Sequence, residues 1–232
     1  MRKKVGILIS GRGSNMAALI DAASARDYPA EIAIVISDKA DAQGLAIAKA
    51  RGVAAVAVER KDFASKDAHD AAIHKALTDA GVEVVALAGY MRLLTTPFVE
   101  LWQGRMINIH PSLLPLFKGL DTHKRAIDAG MRIAGCTVHF VTPEMDEGPI
   151  IAQTAIPVRI GDDADSLAAR MLRAEHKLYP AALKLVCEGK AGMQGGRTVF
   201  HGLQDGAGDV SVSGPEPLPD VSDLERLARI TP

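Results

Sequence analysis

The sequence predicts an α/β fold: an open, mostly parallel, twisted sheet with helices on both faces and an antiparallel extension towards the C-terminus. Three observations carry this expectation. Short continuous apolar runs recur along the chain, as in strands buried on both faces. Between them lie helix-length segments with turn signals at their ends. Late in the chain two strand-like runs, 134–141 and 150–158, follow one another with no helix between them.

The elements follow in order. Residues 5–9 are an apolar run ending at Ser10-Gly11-Arg12-Gly13, and 15–25 is helical. A strand at 32–36, a helix at 42–51 and a strand at 54–58 complete the first half of the pattern. The helix predicted at 66–80 stops at Gly81, and 82–88 is another buried strand. Pro97 falls in the first turn of a short helix at 95–103, where a missing N–H costs nothing. Strand 106–110 is the last of the βα series, which is Rossmann-like and implies a parallel sheet covered by helices. After the two late strands, a long helix at 166–187 closes the domain, and 193–200 has the pattern of a hairpin. We therefore expect one domain over 1–202. The remainder, 203–232, carries Pro215, Pro217 and Pro219 among Gly, Ser and Asp. Such a composition predicts a flexible tail, with 222–230 patterned as a short amphipathic helix.

Composition narrows the class. Lys+Arg number 27 against Asp+Glu 28, a formal net charge of −1, so no global field favours nucleic acid or an anionic membrane surface. Cys136 and Cys187 are the only cysteines and form no CxxC pair, which fits a reducing, cytoplasmic setting. The apolar run after Met1-Arg2-Lys3-Lys4 is too short for a signal peptide, and no run is long enough to span a bilayer. HExxH, GxxxxGK[ST], GxSxG and paired CxxC motifs are all missing, so no metal, triphosphate or serine-hydrolase chemistry is expected.

In an open parallel sheet, ligands bind beyond the carboxyl ends of the strands. The first informative segment there is Ser10-Gly11-Arg12-Gly13-Ser14-Asn15. Its glycines allow a tight turn into a helix whose free N–H groups suit a phosphate, and Ser14 or Asn15 can cap that helix. A plain capped turn is the alternative. A dinucleotide site is a further rival, with Asp38 as its ribose-binding acid. However, Met16 stands where that fingerprint needs a small residue, so a monophosphate fits better.

The second segment is Asn108-Ile109-His110-Pro111-Ser112-Leu113-Leu114-Pro115. Residues two apart share a strand face, so Asn108 and His110 project together from an apolar strand. That is costly unless both are hydrogen-bonded or used. Asn can donate to a developing oxyanion, and His can donate or shuttle a proton. The third is Glu144-Met145-Asp146-Glu147-Gly148-Pro149, which is either a solvated acidic turn or the source of a carboxylate that orients His110 and favours its charged form. Glu175 lies four residues after Met171 and three before Leu178, on the apolar stripe of the last helix. It could bind ribose hydroxyls or sit in a structural ion pair. Lastly, Gly89-Tyr90-Met91-Arg92-Leu93-Leu94 offers apolar side chains and free backbone groups to a flat heteroaromatic ligand, unless it is only a strand–helix junction.

Taken together, these segments resemble the glycinamide ribonucleotide formyltransferases, over about 4–201. The most specific pieces are 108–115 followed by Asp146-Glu147-Gly148-Pro149, which mark the wider folate-dependent formyltransferases; 11–15 narrows the resemblance to a phosphoribosyl substrate. The resemblance implies formyl transfer from 10-formyltetrahydrofolate to the amine of phosphoribosylglycinamide, in purine biosynthesis, through a tetrahedral intermediate and without metal. Asn108, His110 and Asp146 would be catalytic. Gly13, Ser14 and Asn15 would hold the phosphate, and Glu175 the ribose. Lys66, Met91, Arg92, Leu93 and Leu94, with Asn108, Val141, Thr142, Pro143, Glu144, Met145 and Asp146, would frame the folate. Small-molecule partners and a monomer or homodimer are expected, with neither nucleic acid nor membrane involved.

Two positions depart from the pattern. Lys66 stands where a relative has Arg against the folate tail, keeping the charge but losing the bidentate fork. Asp121 stands where that relative has His. Among rivals, a methionyl-tRNA formyltransferase should add a C-terminal domain and a basic surface, a formyltetrahydrofolate hydrolase should add an N-terminal regulatory domain, and a non-catalytic nucleotide-binding module would leave Asn108, His110 and Asp146 idle.

Overall fold

The computed structural model describes residues 1–202; the 203–232 tail, with its 222–230 segment, lies outside them. Seven strands make one sheet: β1 (Lys3–Ile9), β2 (Ala30–Ser37), β3 (Ala55–Ala57), β4 (Val84–Leu87), β5 (Met106–His110), β6 (Ile133–Phe140) and β7 (Ile150–Pro157). Their spatial order is β3-β2-β1-β4-β5-β6-β7. The first five are parallel, and β6 and β7 are antiparallel to their neighbours. The helices are α1 (Ser14–Ala23), α2 (Gln43–Ala50), α3 (Lys66–Asp79), α4 (Thr96–Leu101), α5 (Thr122–Asp128) and α6 (Ala164–Cys187). A separate hairpin, β8 (Ala191–Gln194) and β9 (Arg197–Phe200), follows α6.

The continuous apolar runs are explained by burial on both faces. Val5, Ile7 and Ile9 of β1 join the core beneath α1, α2 and α6, whereas Leu8 joins the core beneath α3 and α4. Period-two alternation thus feeds two cores, and neither face needs polar residues. Helix α6 crosses the first core. Its start is fixed by a capping box in which Asp163 and Ser166 satisfy one another's backbone N–H groups. Its Tyr179, fully buried, directs its hydroxyl to the Leu87 carbonyl at 2.9 Å and the Ile107 carbonyl at 3.2 Å, tying the helix to both β4 and β5.

Topology then places the site. The chain leaves the β3 edge and re-enters on the other side of β1, at β4. Connections from the carboxyl ends of β1 and β4 therefore diverge, and a crevice opens between them. Most element boundaries agree with the sequence reading to within a few residues; β3 is shorter than expected, and its Val56 is exposed at the sheet edge. Helix α5 was not anticipated. It buries only Thr122 and Ala126, so its sequence carries no apolar stripe by which to be recognised.

Candidate active site

The turn after β1 is built on Gly13, whose φ of 74° is a left-handed conformation suited to glycine. A Cβ there would lie 2.9 Å from the Gly44 Cα, and Gly44 in turn donates its N–H to the Gly11 carbonyl at 3.0 Å. Gly11, by contrast, has open space where a Cβ would stand. Gly13 is the N-cap of α1, and no side chain caps the helix. This corrects the expectation that Ser14 or Asn15 does so: the left-handed glycine starts the helix early enough to place both inside its first turn. The first amides of α1 are therefore left without side-chain acceptors, the arrangement that receives an anion.

Asn15 points to a different partner. Its Nδ2 donates to Glu175 Oε2 at 2.7 Å, joining α1 to α6. Glu175 is 7% exposed, and burial raises its pKa, partly opposed by the Asn15 hydrogen bond. No cation contributes to that shift, so the ion-pair reading of Glu175 finds no support among the described residues. Asn15 Oδ1 is buried without a partner.

At the end of β5, Asn108 and His110 project together as the strand period requires. The His110 imidazole lies with Nε2 3.0 Å from the Phe117 carbonyl and Nδ1 3.4 Å from Asp146 Oδ2. Acceptors on both sides mean that either nitrogen can interact there only as a donor. Asp146 adopts a left-handed φ of 56° in the β6–β7 turn, and its Oδ2 also accepts the Gly119 N–H at 2.9 Å. The carboxylate is therefore held by the loop after β5 as well as by its own turn.

A fourth side chain, His139, was not singled out from the sequence. It is the cross-strand partner of Asn108 on β6. Its Nδ1 lies 2.8 Å from the Phe140 carbonyl, so that nitrogen carries the proton and Nε2 is left as an acceptor. Nε2 faces Asn108 Nδ2 at 3.3 Å and Asp146 Oδ1 at 3.9 Å. Burial lowers the His139 pKa, outweighing its backbone hydrogen bond and the Asp146 charge. A neutral His139 thus fixes one amide hydrogen of Asn108 and leaves the amide oxygen and second hydrogen free. The clue was present in the sequence: Thr137 and His139 interrupt an apolar strand as Asn108 and His110 do.

Segment 89–95 forms one wall. Ser10 N donates to the Gly89 carbonyl at 3.1 Å, and Met91 N donates to Ser10 Oγ at 2.8 Å. Met91 and Leu93 are 66% and 65% exposed, large apolar side chains left open at the rim. A cleft of about 720 Å³ runs along this wall, within the range of roughly 300–1,000 Å³ usual for small-molecule sites. It brings together Asn15, Glu175, Asn108, His110, residues 91–94 and residues 141–146. Asp121 and His139 also line it. Ser14 instead borders a neighbouring open groove with His176 and Lys177. Lys66 is exposed at the start of α3 and is not among the residues lining the cleft.

A doubly wound sheet with an Asn–His–Asp cluster in a cleft at its switch point defines an α/β enzyme site. The formyl transferase family model matches residues 3–183, and the chain belongs to that family. A phosphoribosylglycinamide formyltransferase structure from Brucella melitensis is 59% identical, covering 81% of this chain and 96% of its own, with a TM-score of 0.78. A glycinamide ribonucleotide transformylase 1 structure from Symbiobacterium toebii is 45% identical, covering 86% and 94%, with a TM-score of 0.83. The trifunctional purine biosynthetic protein adenosine-3 of Gallus gallus is 47% identical over 186 residues, or 80% of this chain. The chain spans only 18% of that relative's length.

Proposed function

We propose that the protein transfers the formyl group of 10-formyltetrahydrofolate to the amine of phosphoribosylglycinamide, a step of purine biosynthesis. The observation that carries this reading is a single cleft lined at one end by Asn15 and Glu175 and elsewhere by Asn108, His110 and Asp146. The uncapped amides at Gly13, Ser14 and Asn15 take the phosphate. Glu175, with no cation beside it among the described residues, accepts from the ribose hydroxyls. Met91, Arg92, Leu93 and Leu94 on one side, and 141–146 on the other, receive the flat folate ring between their side chains.

In this reading the chain's own groups make few but specific contributions. Asn108, held by His139, donates its free amide hydrogen to the formyl oxygen as negative charge develops there. His110 donates to the same oxygen through Nε2, exchanging the Phe117 carbonyl for it. Asp146 fixes the imidazole from the Nδ1 side and assists proton movement from the attacking amine, through water, to the folate nitrogen. Addition and collapse occur between the two bound substrates, with no covalent bond to the protein.

Folate deformylation followed by absorbance should require glycinamide ribonucleotide. Equal rates with and without it would mean a hydrolase instead.

Glu175→Gln should weaken acceptor binding by roughly 1.5–3 kcal/mol, the range for hydrogen bonds to a charged group, and leave folate binding nearly unchanged. Its effect on stability should have the opposite sign. Burial raises the carboxyl pKa, so the stabilising share of this group is full below its unfolded pKa and lost as pH rises through the folded one. At pH 7 the variant should melt above wild type, with the gap closing as pH falls into the carboxylate range. Calorimetric titrations and melts across pH read both effects; unchanged acceptor affinity would remove Glu175 from the ribose site.

A further inference from the structure

We propose that Asp38 is a positioning residue for the folate-facing wall, acting from behind it through Arg92; the inference rests on the folate reading of that wall. Asp38 directly follows β2 and lies outside the cleft lining. Its side chain is 2% accessible, yet it accepts the Arg92 Nε–H at 2.6 Å, while the Arg92 side chain is 43% accessible. A carboxylate this deeply buried is stable only with a partner, and the partner comes from the middle of the wall.

The wall needs such an anchor. Residues 91–95 belong to no helix or strand, so no ladder of backbone hydrogen bonds fixes them. One end is held by Ser10 at Gly89 and Met91. The other is held by Asp70, buried on α3, whose Oδ2 accepts the Thr95 N–H at 2.7 Å. Between Met91 and Thr95, the Asp38–Arg92 pair is the tether. It falls between Met91 and Leu93, the two exposed apolar side chains that would meet the ring.

A second observation points to the same buried pocket of charge. The Tyr90 hydroxyl and Asp38 Oδ1 are both buried without a hydrogen-bond partner. Burial first, then the charges of Asp38 and Asp70, push the Tyr90 phenol pKa up. Tyr90 itself lines the cleft, and its hydroxyl feels the charges of both Asp38 and Asp70. The aspartate that a dinucleotide site would direct at a ribose is here turned towards residue 92 and determines folate affinity indirectly.

Tetrahydrofolate and glycinamide ribonucleotide should be titrated separately by calorimetry into wild type, Asp38→Asn, Asp38→Ala, Arg92→Met and the Asp38→Ala/Arg92→Met double variant. Asp38→Ala should weaken tetrahydrofolate about tenfold, an effect typical of a lost positioning contact. Asp38→Asn, which keeps an acceptor for Nε, should recover most of that loss. Arg92→Met should resemble Asp38→Ala in tetrahydrofolate affinity, and the double variant, which also removes the buried charge, should show the same loss without an unpaired carboxylate. The double variant should be no worse than either single, because the two act as one unit. Acceptor affinity should stay within about twofold in all of them. Additive losses, an equal fall in acceptor affinity, or unchanged tetrahydrofolate binding in a wild type that binds it would overturn the proposal. A wild type that does not bind tetrahydrofolate would overturn the folate reading, and this inference with it.

Discussion

Asp146→Asn is expected to lower kcat by roughly 10²–10⁴-fold, the usual contribution of a positioned acid–base group, while both KM values change little. The geometry explains the split. Asp146 Oδ2 takes the Gly119 N–H at 2.9 Å and faces His110 Nδ1 at 3.4 Å. An asparagine can turn its amide oxygen to that position, keep both contacts and preserve the turn. What it loses is the negative charge that holds the Nδ1 side of the His110 ring while Nε2 donates to the developing oxyanion. That charge matters most in the transition state, so the loss belongs in kcat. His110→Ala should be comparably damaging, and the double variant far from additive, because Asp146 acts through His110. Steady-state kinetics of wild type, both singles and the double decide it. A near-normal kcat for Asp146→Asn, or full additivity, would shift the role to Glu144 or Glu147.

Much of this site was legible because it violates the pattern of its surroundings. Asn108 and His110 interrupt a strand that is otherwise apolar, and Glu175 interrupts the stripe of α6; each violation marks a buried polar group that needs a purpose. The fold was legible for the complementary reason: Val5, Ile7, Leu8 and Ile9 can all be apolar only in a strand covered on both faces. Asp146 was different. Nothing in its local spacing separates it from Glu144 and Glu147, and only the resemblance selected it. The structure distinguishes them physically: Asp146 alone of the three combines a left-handed backbone with a hydrogen bond to Gly119. Contacts that join distant segments stayed hidden. Asp38 and Arg92 are 54 residues apart, and Asn15 and Glu175 are 160 apart. No periodicity links such pairs; only the order of strands in the sheet does.

Gly148→Ala should both destabilise the protein and slow it, although Gly148 touches no substrate in the proposed arrangement. Its φ is not among the left-handed ones, so alanine is permitted by backbone conformation and the effect is purely one of space. A Cβ at this position would lie 1.7 Å from the Phe140 carbonyl oxygen and 2.8 Å from its carbon. Backbone cannot yield as a side-chain tip does, and the adjoining Phe140 N–H is already bonded to the Pro149 carbonyl at 2.9 Å. The start of β7 must therefore move away from the end of β6. Overpacking of this kind costs about 1–3 kcal/mol or more, and at roughly 2–4 °C per kcal/mol for a chain of this size a clear fall in Tm should follow. The catalytic loss follows through one atom. The Phe140 carbonyl is the acceptor that holds His139 Nδ1 at 2.8 Å and so leaves Nε2 facing Asn108. Displacing that oxygen frees His139 to turn, and Asn108 loses the contact that directs its amide; Asp146 shifts as well, two residues before the altered glycine. We expect kcat to fall at least about tenfold at temperatures where circular dichroism still reports a folded chain, since small misplacements of reacting groups have effects of this size. A Gly148→Ala protein with wild-type Tm and wild-type kcat would show that the β6–β7 turn does not brace the site.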